Sequence, residues 1–458
     1  MKSVSDQFVS QISWQSFYQA KDLHKKVIFT LLALFVYRLG TYIPLPGINP
    51  QAMKTLAQEY SGRGILSMLN MISGGALERM GIFALNLMPY ISSSIIIQLM
   101  GSVSPYLAAL KKEGESGKHK LTQYTRYGTI LLSLVQGASL ISVLSMQSGV
   151  VYESGPFFYA AALSTIAGST LFLMWMGEQI TARGIGNGSS MIIYAGIMAN
   201  LPGNIIGHLQ QARMGNAVYK VLLSVLCASA LIAFIIFMEQ AYRKVIIEYP
   251  QMRIGQKIGS KEKSYIPLKL NPSGVLPPIF AATLIGFFKI LGNASWLDTS
   301  RYHFSGYTAK VISFFSRTLA LLLSDSNMLG VLCHCVLIMI FCVFYTSIVF
   351  NTEETSENLR KSGAFIPGHR PGLMTKKHLD GILSRITVVG AMYIAFIATL
   401  PAILNILFHF NFPFQGTSIL ISVSITLDII SHIHSYIISH QYKPALNRRS
   451  TIRGKNRK

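Results

Sequence analysis

The chain has 458 residues, of which only 13% are charged, about half the ~25% usual in soluble proteins. With a mean hydropathy of +0.43 and long stretches free of charge, this excludes an ordinary soluble enzyme and makes lipid the expected solvent for most of the chain. The net charge of +22 comes from 40 Lys and Arg against 18 Asp and Glu, and it is sorted by position rather than spread over one face.

In chain order, the first 26 residues are polar and amphipathic, without the apolar core and small-residue cleavage site of a removable signal peptide, and are expected to form a cytoplasmic tail. Apolar runs of bilayer length then fall at 27–43, 81–103, 127–146, 157–176 and 189–206. Five more fall at 221–238, 274–291, 328–350, 386–407 and 419–438, so ten helical spans are expected. Between the first two lies Ser61 to Ser73, mildly apolar and too short to cross, hence a re-entrant or interfacial piece.

Ten spans put both termini on one side, and the basic residues choose the side. The termini, the segments after spans two and four, and the long segments 240–270 and 351–385 hold thirty Lys and Arg; the opposite loops hold nine, and Arg38 lies inside span one. Cytoplasmic segments carry the excess, so both termini are expected to be cytoplasmic, ending in a basic tail at 439–458. The four cysteines, Cys227, Cys333, Cys335 and Cys342, all lie in apolar spans and are expected to be inert thiols.

Catalytic chemistry is hard to find. Gly117-Lys118 is followed by His119 and lacks the upstream glycine of a phosphate-binding loop, and Gly184-Ile-Gly-Asn-Gly188 reads as a tight interhelical turn. The chain is therefore expected not to be an enzyme and to need no cofactor. Asp428 and His432 at i, i+4 in span ten, with His434 beside them, are candidates for a proton relay. They motivate one alternative function, an ion-coupled secondary transporter, although such proteins place charge at mid-membrane. Span two carries a different signal: Leu87, Ile91, Ser94 and Gln98 form one stripe, aliphatic first and polar afterwards. Such a stripe suits either a wet vestibule narrowing to an apolar waist or a helix contact.

Several blocks resemble the SecY family, protein-conducting channels of the bacterial secretion pathway. They are Ser73-Gly-Gly-Ala-Leu-Glu-Arg-Met-Gly81, Met88-Pro-Tyr-Ile-Ser-Ser-Ser94, Lys111-Lys-Glu-Gly-Glu-Ser-Gly117 and Gln123-Tyr-Thr-Arg-Tyr-Gly128. Further blocks are Trp175 to Gly188, Pro267-Leu-Lys-Leu-Asn-Pro-Ser-Gly-Val275, Phe344-Tyr-Thr346, Asn358 to Gly368 and Arg370-Pro-Gly372. The resemblance implies an all-α polytopic membrane protein whose halves, 27–206 and 207–438, each hold five helices and are related by inverted pseudo-symmetry. It implies passage of unfolded polypeptides through an hourglass pore and release of hydrophobic segments into lipid through a lateral gate.

By the same resemblance, Leu87, Ile91, Ile193, Ile279 and Ile421 form the pore ring, with Ser189 where a sixth isoleucine is often found. The segment 61–73, through Ser61, Gly64, Leu66, Met68, Ile72 and Ser73, forms a plug. Ser92, Ser93, Ser94, Pro277 and Pro278 mark the lateral gate, the prolines being expected to loosen its second helix. Arg243, Lys244, Arg253, Lys257 and Arg370 are expected to dock a SecA-like ATPase motor and the ribosome. The other implied partners are SecE-like and SecG-like small membrane subunits, signal peptides and anionic lipid, and the implied location is the bacterial inner membrane.

Overall fold

The computed structural model describes residues 21–53, 55, 70, 73–145, 149–153, 155–214, 218–249, 253–254, 257–258, 263–292, 328–408 and 415–455. Its helices are α1 (Lys21–Gly40), α2 (Met88–Val103), α3 (Pro105–Lys112), α4 (Glu115–Ser145), α5 (Pro156–Arg183) and α6 (Gly188–Met214). The second part holds α7 (Val218–Gln240), α8 (Leu276–Gly292), α9 (Met328–Val349), α10 (Thr352–Lys361), α11 (Leu373–Phe408) and α12 (Gly416–Lys455). A helix occupies each of the ten apolar runs, and six are long and apolar enough to cross a membrane by length and composition, or seven counting the bent pair α2–α3.

Two expected boundaries shift. The second apolar run becomes helical only at Met88: residues 82–87 are turns, with Met80 and Asn86 at positive φ, so the chain enters α2 through a buried irregular stretch. Its other end stops at Ser104, where the extended backbone before Pro105 turns the chain by 104° into α3.

The helices are packed inside out relative to a soluble protein. α1 exposes Leu31, Leu32 and Phe35, α7 exposes Leu222, Leu226 and Phe237, and α11 exposes Val388, Met392 and Phe396. Apolar outer faces of this extent suit contact with lipid or with other membrane-embedded subunits.

The two sets of five long helices pack in the same order. In the first, α2 packs on α4, α4 on α5, α5 on α6, and α1 on α6; in the second, α8 packs on α9, α9 on α11, α11 on α12, and α7 on α12. The α1–α5 contact has its counterpart where Phe234 of α7 meets the Tyr393 ring of α11 at 5.9 Å. The sets meet where α2 touches α8 and where α6 touches α7 and α12.

Within this mostly helical fold, 240–270 adds a short ribbon: β1 (Tyr242–Glu248) is paired antiparallel with β4 (Lys263–Lys269), and between them β2 (Arg253–Ile254) is paired with β3 (Lys257–Ile258). The cause is local: Val245 and Ile247 alternate with exposed neighbours, giving the two-residue period of a half-buried strand. Val245 joins Leu268, Ile366, Leu379 and Ile382 in one buried cluster, and Glu248 exchanges backbone hydrogen bonds with Phe365. Segments 240–270 and 351–385 therefore form one packed unit.

Candidate functional site: the central constriction and its surroundings

All five expected ring residues share one buried cluster. Leu87 caps α2, Ile91 lies one turn on, and Ile193, Ile279 and Ile421 come from α6, α8 and α12. None is more than 6% exposed. Four helices from both sets thus converge on a buried apolar centre. The stripe on α2 follows: beyond Ile91, the Gln98 amide donates to Ser94 Oγ at 3.1 Å, and Gln98 is exposed.

Ser189 is not part of this closure. It is half-buried, shares a side-chain hydrogen bond with Tyr90 and lies against Gly177 of α5. The α5–α6 turn that places it is as tight as expected. A Cβ on Gly188 would overlap the Gly177 carbonyl oxygen, and the Gly188 N–H donates to Thr181 Oγ1 at 2.9 Å.

Of the expected plug, Ser61, Gly64, Leu66, Met68 and Ile72 lie outside the described residues, and Ser73 is buried at its end. Ser73 Oγ donates to the Asn70 carbonyl and accepts from the Leu77 N–H. Asn70 and Glu78 exchange two hydrogen bonds of 2.9 Å. The stretch is also held from α1, where Arg38 Nη1 donates to the Gly74 carbonyl at 2.7 Å and Tyr37 donates to the Ser73 carbonyl at 3.3 Å. Sequence reasoning set Arg38 aside as a charge inside span one, and that position was the signal.

The expected gate residues divide. Ser93 is buried against α4, donating to the Thr125 carbonyl at 2.7 Å and sitting where a Cβ on Gly128 would go. The seam between α2 and α8 is instead packed by Met88 and Ile285. At its far end an apolar cleft is lined by Ile95, Gln98, Leu99, Phe280, Phe341 and Tyr345. Pro277 and Pro278 do not break α8: they occupy its first turn, where a backbone N–H has no intrahelical partner. The expected loosening is thereby corrected, since these prolines start the helix.

Arg243 and Lys244 are exposed on β1, and Arg370 is exposed in the 351–385 segment. Arg253 and Lys257 lie on the paired β2 and β3. Lys244 sits over the Tyr265 ring at 5.0 Å. The His369 and His378 rings stack at 3.9 Å; burial, His369 and Arg243 push the His378 pKa below its ordinary value. Asp428 and His432 meet at 3.7 Å and are 53% and 55% exposed, so the pair is not buried among the helices. The four cysteines are free thiols, Cys342 buried and the others half-buried.

A model of the SecY family matches residues 81–430. The protein translocase subunit SecY of Pseudomonas aeruginosa is 43% identical over 94% of this chain and 95% of its own length. That of Escherichia coli K12 is 42% identical, covering 95% and 96%. The chain belongs to the SecY family. Among solved structures, one described as a protein-conducting channel superposes with a TM-score of 0.63 at 15% identity, covering 90% of this chain and 91% of that one. Sec61 from a canine ribosome–channel complex gives 0.59 at 16% identity, covering 90% and 91%. The fold of a SecY-type channel, mostly helical and multi-pass in the membrane, is therefore this chain's fold.

Proposed function

We propose that the chain, a protein-translocation channel by family, closes its pore at the ring of Leu87, Ile91, Ile193, Ile279 and Ile421. The observation that carries this is the convergence of these five side chains, from four helices, in one dry cluster. A translocating polypeptide presents arbitrary side chains. A waist with hydrogen-bonding groups would hold some of them, whereas methyl groups contact all of them weakly, and an apolar constriction also dewets and blocks ions.

Cargo leaves sideways between α2 and α8, whose seam, packed by Met88 and Ile285, parts to admit signal peptides and hydrophobic segments. Pro277 and Pro278 begin the gate helix, and Ser92 and Ser94 lie on its partner. The stretch 61–73 plugs the outer side. Both termini are cytoplasmic in a bacterial inner membrane, where the basic C-tail meets anionic lipid and SecE-like and SecG-like subunits cover exposed apolar faces.

The packed unit of 240–270 and 351–385 is the dock for a SecA-like ATPase and for the ribosome. Its support is geometric: Val245 and Leu268 of the ribbon pack on Ile366 and Leu379, Glu248 pairs with Phe365, and Arg243, Lys244 and Arg370 are exposed on the resulting unit. In membrane vesicles supplied with the ATPase and an unfolded secretory polypeptide, the wild type should give ATP-dependent, protease-protected import. Arg370→Glu should lower import at least ~10-fold, as loss of a charge-assisted contact of ~1.5 kcal/mol or more implies, while leaving insertion and assembly intact. Unchanged import would remove Arg370 from the dock, and no import by the wild type would refute the channel reading.

A further inference from the structure

Both gate helices begin with proline in the first turn, where it supplies no backbone donor. α2 starts Met88-Pro89 with Leu87 at its N-cap and no side-chain cap bond. α8 starts Leu276-Pro277-Pro278, which removes two backbone donors from its first turn. Something else has to fix where these ends sit.

In the second half that role falls to a buried amide. Asn271, five residues before α8, uses both its amide hydrogens: one goes to Glu239 Oε1 at 2.8 Å, the other to the Gly274 carbonyl at 3.0 Å. Its oxygen accepts from Ser273 Oγ at 2.9 Å, and Ser273 is 3.1 Å from Cys342 Sγ of α9. Asn271 and Ser273 are buried, and Glu239 is the next-to-last residue of α7.

The first half repeats the construction with other chemistry. Tyr37 and Arg38 stand near the end of α1, the counterpart of α7 in packing order. Arg38 reaches the Gly74 carbonyl, and the Tyr37 hydroxyl accepts from Asn86 Nδ2 at 3.4 Å, two residues before α2. Gly74 and Gly274 both have positive φ, +69° and +64°, a conformation that glycine adopts without strain. Each half therefore fastens the approach to its gate helix with a polar side chain from the end of its first helix; Arg38 itself donates to the carbonyl of a left-handed glycine, whereas Glu239 holds Asn271, which donates to the other.

We propose that these are paired clasps: Glu239 through Asn271, and Tyr37 with Arg38, are positioning residues that hold the N-terminal ends of α8 and α2 in the closed gate. The proposal rests on the waist reading above. In the inverted arrangement the Arg38 clasp lies on the non-cytoplasmic side and the Glu239 clasp on the cytoplasmic side, so the two gate helices are secured at opposite ends.

The test reconstitutes the full-length chain in liposomes and measures ion leakage per inserted molecule beside thermal unfolding. A hydrogen bond to a charged group in a two-state gate shifts its population by ~10-fold or more. Glu239→Ala should therefore leak about tenfold above wild type, whereas Glu239→Gln, which keeps an oxygen acceptor, should stay near wild type. Asn271→Asp sets carboxylate against carboxylate and should leak as Glu239→Ala does. The double variant Glu239→Gln/Asn271→Asp restores a donor–acceptor pair with the roles exchanged, and should recover most of the seal.

If Glu239→Ala does not insert, the Asn271→Asp and double-variant pair decides. A tight Glu239→Ala channel, a Glu239→Gln channel that leaks as much as Glu239→Ala, or a double variant no tighter than Asn271→Asp would overturn the clasp. Leu87→Asn/Ile91→Asn is run alongside: if that waist variant stays tight, the waist reading has failed, and if it leaks while Glu239→Ala does not, the clasp alone has failed.

Discussion

Around Leu87, Ile91, Ile193, Ile279 and Ile421 the buried cluster is apolar, aliphatic and aromatic, with the Tyr37 ring among its members, whereas at the ends of α1 and α7 the equally buried Ser73, Asn271 and Ser273 sit in hydrogen-bonded networks. The two regions are comparably dry and differ in directionality. Dispersion contacts between methyl groups are weak one by one and indifferent to orientation, so the waist can part and close again around any sequence. Hydrogen bonds hold one geometry and penalise others, so the clasps define the position to which the gate returns. A channel needs both, and Tyr37, whose ring packs in the central cluster while its hydroxyl bonds Ser73 and Asn86, is where the two meet.

The sharpest way to break this comparison is to give the waist the chemistry of the clasps. Leu87→Asn/Ile91→Asn places two amides where the surrounding cluster offers aliphatic side chains. An unsatisfied buried amide costs about 1–3 kcal/mol, so the closed state should lose to a hydrated one and liposome ion leakage should rise by ~10-fold or more. Ile96→Asn is the control, since Ile96 is 44% exposed. Ile95 would be a poorer control because it packs against the central cluster. Equal leakage from waist and control would mean that the cluster is a packing core with the pore elsewhere.

A smaller effect is expected from the first-half clasp. Arg38→Gln should leak more than Tyr37→Phe, because Arg38 makes a charge-assisted bond of 2.7 Å to Gly74, whereas the Tyr37 bonds are 3.3 and 3.4 Å long. Bonds between neutral groups contribute about 0.5–1.5 kcal/mol, so Tyr37→Phe should raise leakage only ~2- to 10-fold. The reverse ranking would show that the hydroxyl rather than the guanidinium does the holding.

The proposed waist was partly legible in the sequence and the clasps were not, for physical reasons. Leu87 and Ile91 share a stripe by helical spacing, which suited a helix contact equally well, and Ile193, Ile279 and Ile421 came only from the resemblance to the SecY family. Asn271 was also in view, inside Asn-Pro-Ser-Gly, but its partner Glu239 lies 32 residues away, beyond a ribbon that itself went unread. Short strands such as β1 were hidden because Arg243 and Lys244 drew the eye to charge while the alternation of Val245 and Ile247 covers only a few residues. Pro277 and Pro278 were read as breakers because composition does not reveal where a helix begins. Arg38 was noticed as a charge within a span, yet its bond runs to the Gly74 carbonyl, and a backbone acceptor leaves no signature in side-chain identity.

The cytoplasmic unit offers a third kind of contact, and the smallest effect. His378, near the start of α11 and before the apolar run 386–407, packs its ring on His369 with Arg243 nearby. Burial first, then those two neighbours, disfavour its protonated form and lower its pKa. The folded unit therefore binds a proton less readily than the unfolded chain. Its contribution to stability is whole above the ordinary imidazole value of about 6.5 and is lost as pH falls from there towards the lowered pKa. Hydrogen exchange at the paired amides of β1 and β4 should thus be modestly faster at pH 5.5 than the intrinsic pH dependence accounts for, relative to pH 7.5. In His378→Phe, which keeps a ring for His369 to pack on, that excess should shrink. An unchanged excess would assign the acid sensitivity to another group and leave the stack as packing alone.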